Sequence, residues 1–180
     1  EEQRRRLGEG LVETMAKIHS VDVNEVGLGD LGRHDGYVQR QLKRWSGQWD
    51  KSKTRELPLV EDVHSRLVDL APPQSAVTLV HGDYRLDNVI YSPTGEVAAV
   101  VDWELCTIGE PLADLGLLMV YWREAGDEPI PLINPATVEP GFATRRELAD
   151  LYAGITGRDI SKLDYFVALG FWKLAIIGEG

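Results

Sequence analysis

Cysteine is nearly absent from this 180-residue chain. Cys106 is the only one, so no intrachain disulfide can form. A reducing, cytoplasmic setting is therefore expected, with Cys106 itself read as a plain small side chain. No run approaches the roughly eighteen apolar residues of a bilayer-spanning helix, and no secretory leader opens the chain, so no membrane partner is expected. Positive charge is also short: 19 Lys and Arg stand against 29 Asp and Glu, a formal net charge of −10. That balance argues against a nucleic-acid or anionic-membrane surface. No internal repeat or low-complexity tract occurs. A P-loop is missing too: Gly27, Gly29 and Gly32 lie in a Gly- and Asp-rich stretch, 22–35, but no strand precedes them and no Lys-Ser/Thr follows. The stretch reads as a connector.

The sequence does contain several amphipathic helical patterns. With 43% hydrophobic residues, the length suits one well-buried domain, 1–180. Leu7, Leu11, Met15 and Ile18 fall on one face of a helix over 1–20, and His19 at its end reads as a cap or core residue. Tyr37, Gln41, Trp45 and Trp49 recur every fourth residue in a helix of about 36–52, read as a core stripe. Val60, Val63, Leu67 and Leu70 mark a third helix, with His64 on its flank facing solvent, and Pro72–Pro73 stops it. Pro111 can open a helix that is apolar nearly all round and therefore buried, with Asp114 its one carboxylate. Four prolines between 123 and 143 predict a surface loop. Two last helices follow, 144–156 capped by Thr144 and 161–177 capped by Ser161. The expected fold class is mainly α with a small β unit.

That β unit lies in residues 77–104, around which the chain is organised. Val77–Val80 is a β-branched run, Val89–Tyr91 a short strand, Ser92–Gly95 a turn, and Val97–Val101 a third run ending at Asp102, with 104–110 read as loop. Polar residues collect at the strand ends. His81–Gly82–Asp83, four residues and Asn88 match the H-R-D-x-x-x-x-N loop of phosphoryl transfer, with Gly in place of Arg. Asp102, fourteen residues further on, occupies the place of the second metal ligand, followed by Trp-Glu rather than Phe-Gly. In that template Asp83 orients and deprotonates an acceptor hydroxyl, while Asn88 and Asp102 offer the oxygen ligands that Mg²⁺ prefers. His81 would then fix the loop through hydrogen bonds. Singly, each Asp or Asn is equally a turn residue; as a spaced group between apolar strands, they point to chemistry.

HGDYRLDN, VVDWE and IGEPLADLG resemble the aminoglycoside phosphotransferase family, above all the branch that accompanies acyl-CoA dehydrogenases. The resemblance covers nearly the whole chain, with its specific motifs in residues 77–122. It implies a kinase-like C-terminal lobe that moves the γ-phosphate of ATP or GTP, with Mg²⁺, to a hydroxyl of a small molecule: an aminoglycoside-like acceptor or a hydroxylated acyl chain. It also implies partners for Asp114: the backbone amides of the catalytic loop, and His81. Arg85 and Asp87 are candidate substrate or phosphate contacts; Arg85 is equally able to pair with a neighbouring carboxylate, and Asp87 to cap the loop. Glu104 is a further candidate, either assisting the metal or phosphate or tying down its loop, and is read as the latter.

Kinases of this type also need a Lys from a small sheet, its Glu partner and a phosphate-covering loop. No V-A-x-K-like strand precedes residue 77, and Lys17, Lys43, Lys51 and Lys53 all fall on or beside helices. The chain opens on Glu1, and its last apolar helix runs into Gly180. The expectation is a C-terminal lobe whose N-terminal lobe lies elsewhere in a longer polypeptide, and which is a poor catalyst alone. A kinase-like binding module without turnover is one alternative. A metal-dependent hydrolase using His81, Asp83 and Asp102 is another, although no further His or Asp cluster at ligand spacing supports it.

Overall fold

Six α-helices and four short strands make up the computed structural model, which describes residues 1–131, 133 and 135–179. The helices are α1 (Glu2–His19), α2 (Tyr37–Ser52), α3 (Pro58–Asp69), α4 (Pro111–Tyr121), α5 (Arg145–Thr156) and α6 (Leu163–Glu179). The strands are β1 (Thr78–Val80), β2 (Val89–Tyr91), β3 (Val97–Val100) and β4 (Thr107–Gly109). At the centre α4 packs along α6. Both helices are apolar on most faces because both are surrounded by protein. They approach closely at Gly116, where a Cβ would come within 2.6 Å of the Phe166 backbone. Around this pair, α1 packs on α5, and α2 and α3 pack on α6. Leu11, Met15, Leu115, Leu118, Leu148 and Tyr152 are wholly buried in the core they share.

The β structure differs from the sequence expectation. Val89–Tyr91 and Val97–Val100 do form a hairpin, with Val89 opposite Val100 and Ile90 opposite Ala99. The first run, however, does not join them. β1 pairs antiparallel with β4, Leu79 opposite Ile108, inside the stretch 104–110 that periodicity assigned to loop. A three-residue strand carries too little pattern to be seen alone; it exists because β1 offers it a partner.

Other details also depart from the sequence reading. Val60 and Leu67 of α3 are buried, whereas Leu70 is exposed just beyond the helix end. His64 does not face open solvent. It is half-buried, stacked on Trp172 of α6 with ring centroids 5.2 Å apart. Tyr37 and Trp49 enter the core while Trp45 is only half-buried. Thr144 caps α5 in a full capping box with Glu147, but Ser161 does not cap α6, because its amide and hydroxyl bond Asp159 instead. The proline-rich segment 123–143 turns inward in part: the buried Thr137 hydroxyl accepts from the Arg123 N–H and donates to its carbonyl, both at 2.8 Å. Among the described residues, no helix is long and apolar enough to cross a membrane.

Candidate active site

The loop between β1 and β2 carries His81, Asp83, Arg85, Asp87 and Asn88, and it is clamped from below. Asp114, in the first turn of α4, is buried and accepts hydrogen bonds from the backbone amides of His81 (2.6 Å) and Gly82 (2.9 Å). Its third partner is the ring of His19, with Nε2 at 3.2 Å. The resemblance had suggested the loop amides and His81. The amides are there, but the imidazole belongs to His19, at the end of α1. His19 Nδ1 in turn meets the Tyr152 hydroxyl of α5 at 2.7 Å. Burial alone would raise the Asp114 pKa, but His19 and the two amides more than offset it and hold the carboxyl below its usual range. A carboxylate so placed is costly to bury and more costly to strip of its partners.

His81 locks the same loop sideways. Its ring is buried between Tyr84 and Trp103, at centroid distances of 5.7 and 4.8 Å. Nδ1 accepts from the Asp83 amide (3.2 Å), which leaves Nε2 to donate to the Val101 carbonyl (2.9 Å). The imidazole therefore ties the start of the loop to the residue before Asp102. Gly82 occupies the place of the usual Arg for a steric reason. Its φ is +86°, and a Cβ there would lie 2.6 Å from the Leu105 carbonyl oxygen. Tyr84 and Tyr91 hook this region to α1 by donating to the Leu11 and Leu7 carbonyls, at 2.8 and 3.0 Å.

Within the loop, Asn88 Nδ2 donates both to the Asp83 carbonyl oxygen (2.8 Å) and to its Oδ2 (3.0 Å). Arg85 Nε lies 3.4 Å from the same Oδ2, an ion pair without hydrogen-bond geometry. Its Nη1 lies 3.6 Å from Asp87, and the guanidinium covers the Tyr121 ring at 4.8 Å. Arg85 thus pairs with both loop carboxylates. The Val101 amide donates to the Asn88 carbonyl at 2.9 Å, holding the residue before Asp102 against the loop. Asp102 follows in a left-handed conformation, φ +66°, the one non-glycine residue with positive φ among those described. Its carboxylate is exposed and bonds nothing among the described residues, and no bond ties Glu104 to its loop as the sequence had suggested.

Mg²⁺ is the cofactor the loop motif implies, and the residues fit it. Asn88 spends both amide hydrogens on Asp83, so its oxygen has no hydrogen bond among the described residues, and Asp102 offers a free carboxylate. Among those residues, no group of three or more His, Cys, Asp or Glu side chains is arranged to hold a metal by itself. One carboxylate and one amide oxygen, completed by phosphates and water, is how Mg²⁺ is commonly held.

Three residues escaped the sequence reading. Besides His19, Glu110 is buried ahead of α4, its carboxylate accepting from Ser75 N (2.6 Å), Ser75 Oγ (2.7 Å) and Leu112 N (3.3 Å). Lys173 of α6 lies over the Trp45 ring at 5.2 Å. Burial pushes its pKa down, while Asp114 and Asp83 act against that shift. A lysine within an otherwise apolar helix was the only signal available for it.

The mainly helical fold is shared with solved phosphotransferases. A crystal structure of a Ralstonia eutropha JMP134 protein, described as an aminoglycoside phosphotransferase, is 33% identical with TM-score 0.85, covering 99% of this chain and 55% of that one. A macrolide 2'-phosphotransferase type I shares the fold at TM-score 0.69 and 16% identity, over 98% of this chain and 53% of that one. Residues 1–150 match the phosphotransferase enzyme family (APH), and the chain belongs to it. Among curated proteins, acyl-CoA dehydrogenase family member 11 of Gallus gallus is 35% identical over 94% of this chain. The chain spans about a quarter of that relative's length, 23%.

Proposed function

We propose that this chain is the helical lobe of a longer small-molecule kinase, which transfers the γ-phosphoryl group of ATP or GTP to a hydroxyl of its acceptor. One observation carries the reading: Asp83, held by Asn88, sits on a loop whose backbone is clamped by the buried Asp114. Asp83 accepts the proton of the acceptor hydroxyl. The Asn88 amide keeps that carboxylate oriented, and the Arg85 guanidinium flanks it, with Nε 3.4 Å from Oδ2. Mg²⁺, arriving with the nucleotide, supplies counter-charge to the phosphate oxygens, and Asn88 and Asp102 would hold it. The nucleotide's other contacts come from an N-terminal lobe outside these 180 residues, and Val101, Trp103 and Leu105 form an exposed apolar rim beside Asp102 where that lobe would rest.

Family membership supports the reaction class, and the acyl-CoA dehydrogenase relative favours a hydroxylated acyl thioester over an aminoglycoside as acceptor. A cytoplasmic setting, expected from the single cysteine of these 180 residues, is part of this reading. In the full-length protein, Asp83→Asn is expected to lower single-turnover transfer by roughly 10²–10⁴ while nucleotide affinity holds. Asp102→Asn is expected to weaken Mg²⁺–nucleotide binding instead. Full transfer by Asp83→Asn would remove Asp83 as the base and the mechanism with it.

A further inference from the structure

A cleft of about 340 Å³ opens between the Pro72–Ser75 segment, Leu112 of α4 and the start of α6. Four charged residues line it: Glu110, Arg158, Asp159 and Lys162. Both acids are already engaged. Glu110 is saturated by Ser75 and the Leu112 amide, and Asp159 accepts from the amide and hydroxyl of Ser161 at 2.8 and 2.9 Å. The two cations are only partly engaged: Arg158 donates once, from Nη2 to the His19 carbonyl, and the Lys162 side chain has no hydrogen bond among the described residues. Neither Arg158 nor Lys162 has a carboxylate within ion-pair distance among the described residues, and the buried Arg158 Nε–H has no acceptor there. Leu112 and Phe166 give the cleft an apolar wall. Unspent cationic donors beside such a wall match a small molecule with one anionic head and a short apolar body.

Arg158 also belongs to the buried chain beneath the catalytic loop. Its Nη2 donates to the His19 carbonyl at 3.2 Å, and the His19 ring bonds Tyr152 on one side and Asp114 on the other. Asp114 holds the His81 and Gly82 amides. A contiguous series of hydrogen bonds and covalent links therefore runs from the cleft to the loop that carries Asp83, without touching the faces assigned to nucleotide or acceptor.

We propose that this cleft is a second binding site, for a monoanionic carboxylate or phosphate ester with a short aliphatic part, held by Arg158 and Lys162 and linked to the catalytic loop through His19 and Asp114. The site stands on this chain's own geometry and does not depend on the kinase reading. A ligand that engages Arg158 competes with the His19 carbonyl for the guanidinium, so its binding and the order of the loop are coupled, reciprocally.

The test is calorimetric titration of the full-length protein, without nucleotide or Mg²⁺, with acetate, pentanoate and inorganic phosphate, repeated on Arg158→Gln and Lys162→Gln. Amide hydrogen exchange at His81 and Gly82 is followed with and without pentanoate. Saturable binding is expected, with pentanoate roughly tenfold tighter than acetate because of the apolar wall. Lys162→Gln, at an exposed position, should weaken binding several-fold with an unchanged fold; Arg158→Gln should abolish it. Exchange at the two loop amides should change on saturation in the parent chain alone. Phosphate binding as tightly as pentanoate would overturn the apolar part of the assignment. Absence of saturation, or titrations indifferent to Lys162→Gln, overturns the site. Binding that obeys both variants but leaves the two amides unmoved overturns the linkage.

Discussion

The His-Gly-Asp loop has an inner and an outer side, and they are built in opposite ways. Inside, the Asp114 carboxylate is met by two backbone amides and by His19, which Tyr152 orients, and His81 is held through both ring nitrogens. Outside, Asp102 and Glu104 stand exposed, and Val101, Trp103 and Leu105 leave apolar surface uncovered. The inner side has spent its hydrogen-bonding capacity on fixing one backbone geometry. On the outer side that capacity is kept free, and one residue even holds an unfavourable conformation. The contrast separates two carboxylates, Asp114 setting the shape of the loop and Asp102 left exposed without a partner among the described residues.

Four measurements break or sharpen that contrast. Asp114→Ala attacks the inner side: it leaves two amides without an acceptor and His19 without its carboxylate, at a cost of about 3–5 kcal/mol in urea unfolding. A loss below about 1 kcal/mol would mean that the clamp is ornamental. Acid reaches the same carboxylate in the intact chain. Because the native pKa of Asp114 is depressed, its contribution is fully present above the ordinary carboxylate pKa of about 4 and is lost as pH falls through the native value. Thermal melts between pH 5 and pH 2 should therefore show a fall in stability that is shallower in Asp114→Asn. An equal slope in both proteins would locate the acid sensitivity elsewhere.

Thr144→Ala serves as a reference far from the loop. It removes the capping box of α5 and should cost about 1 kcal/mol, measurable by the same unfolding curves, with no change in nucleotide binding by the full-length protein. The outer side predicts the smallest effect and the opposite sign. Asp102→Gly relieves a left-handed non-glycine residue and should leave the fold unchanged or stabilise it by up to about 1 kcal/mol. Destabilisation instead would show that the Asp102 side chain supports the fold rather than awaiting a ligand.

Local pattern made much of this legible. The helical stripes of α1 to α3 are visible because a helix repeats its buried face every turn. Thr144 with Glu147 could be read as a cap because both partners lie within one turn. Ser161 as the cap of α6 was misleading by the same logic, since Asp159, two residues earlier, takes the serine. Asp83, Asn88 and Asp102 stood out through their spacing between apolar runs, and Asp114 because a carboxylate in an apolar helix requires partners.

The sequence by itself determined the helical class, the position of the His-Gly-Asp loop and the polar residues gathered around it. Each of these is written in separations of a few residues, where backbone periodicity and side-chain chemistry act directly. Only the tertiary structure decided who completes the loop. His19 reaches Asp114 across 95 positions of sequence, β4 exists because β1 lies beside it, and Glu110 finds Ser75 across 35. Such pairings obey no period. They are chosen by which groups are left without water when the helices close over the core, because each buried donor or acceptor must then find its partner within the protein.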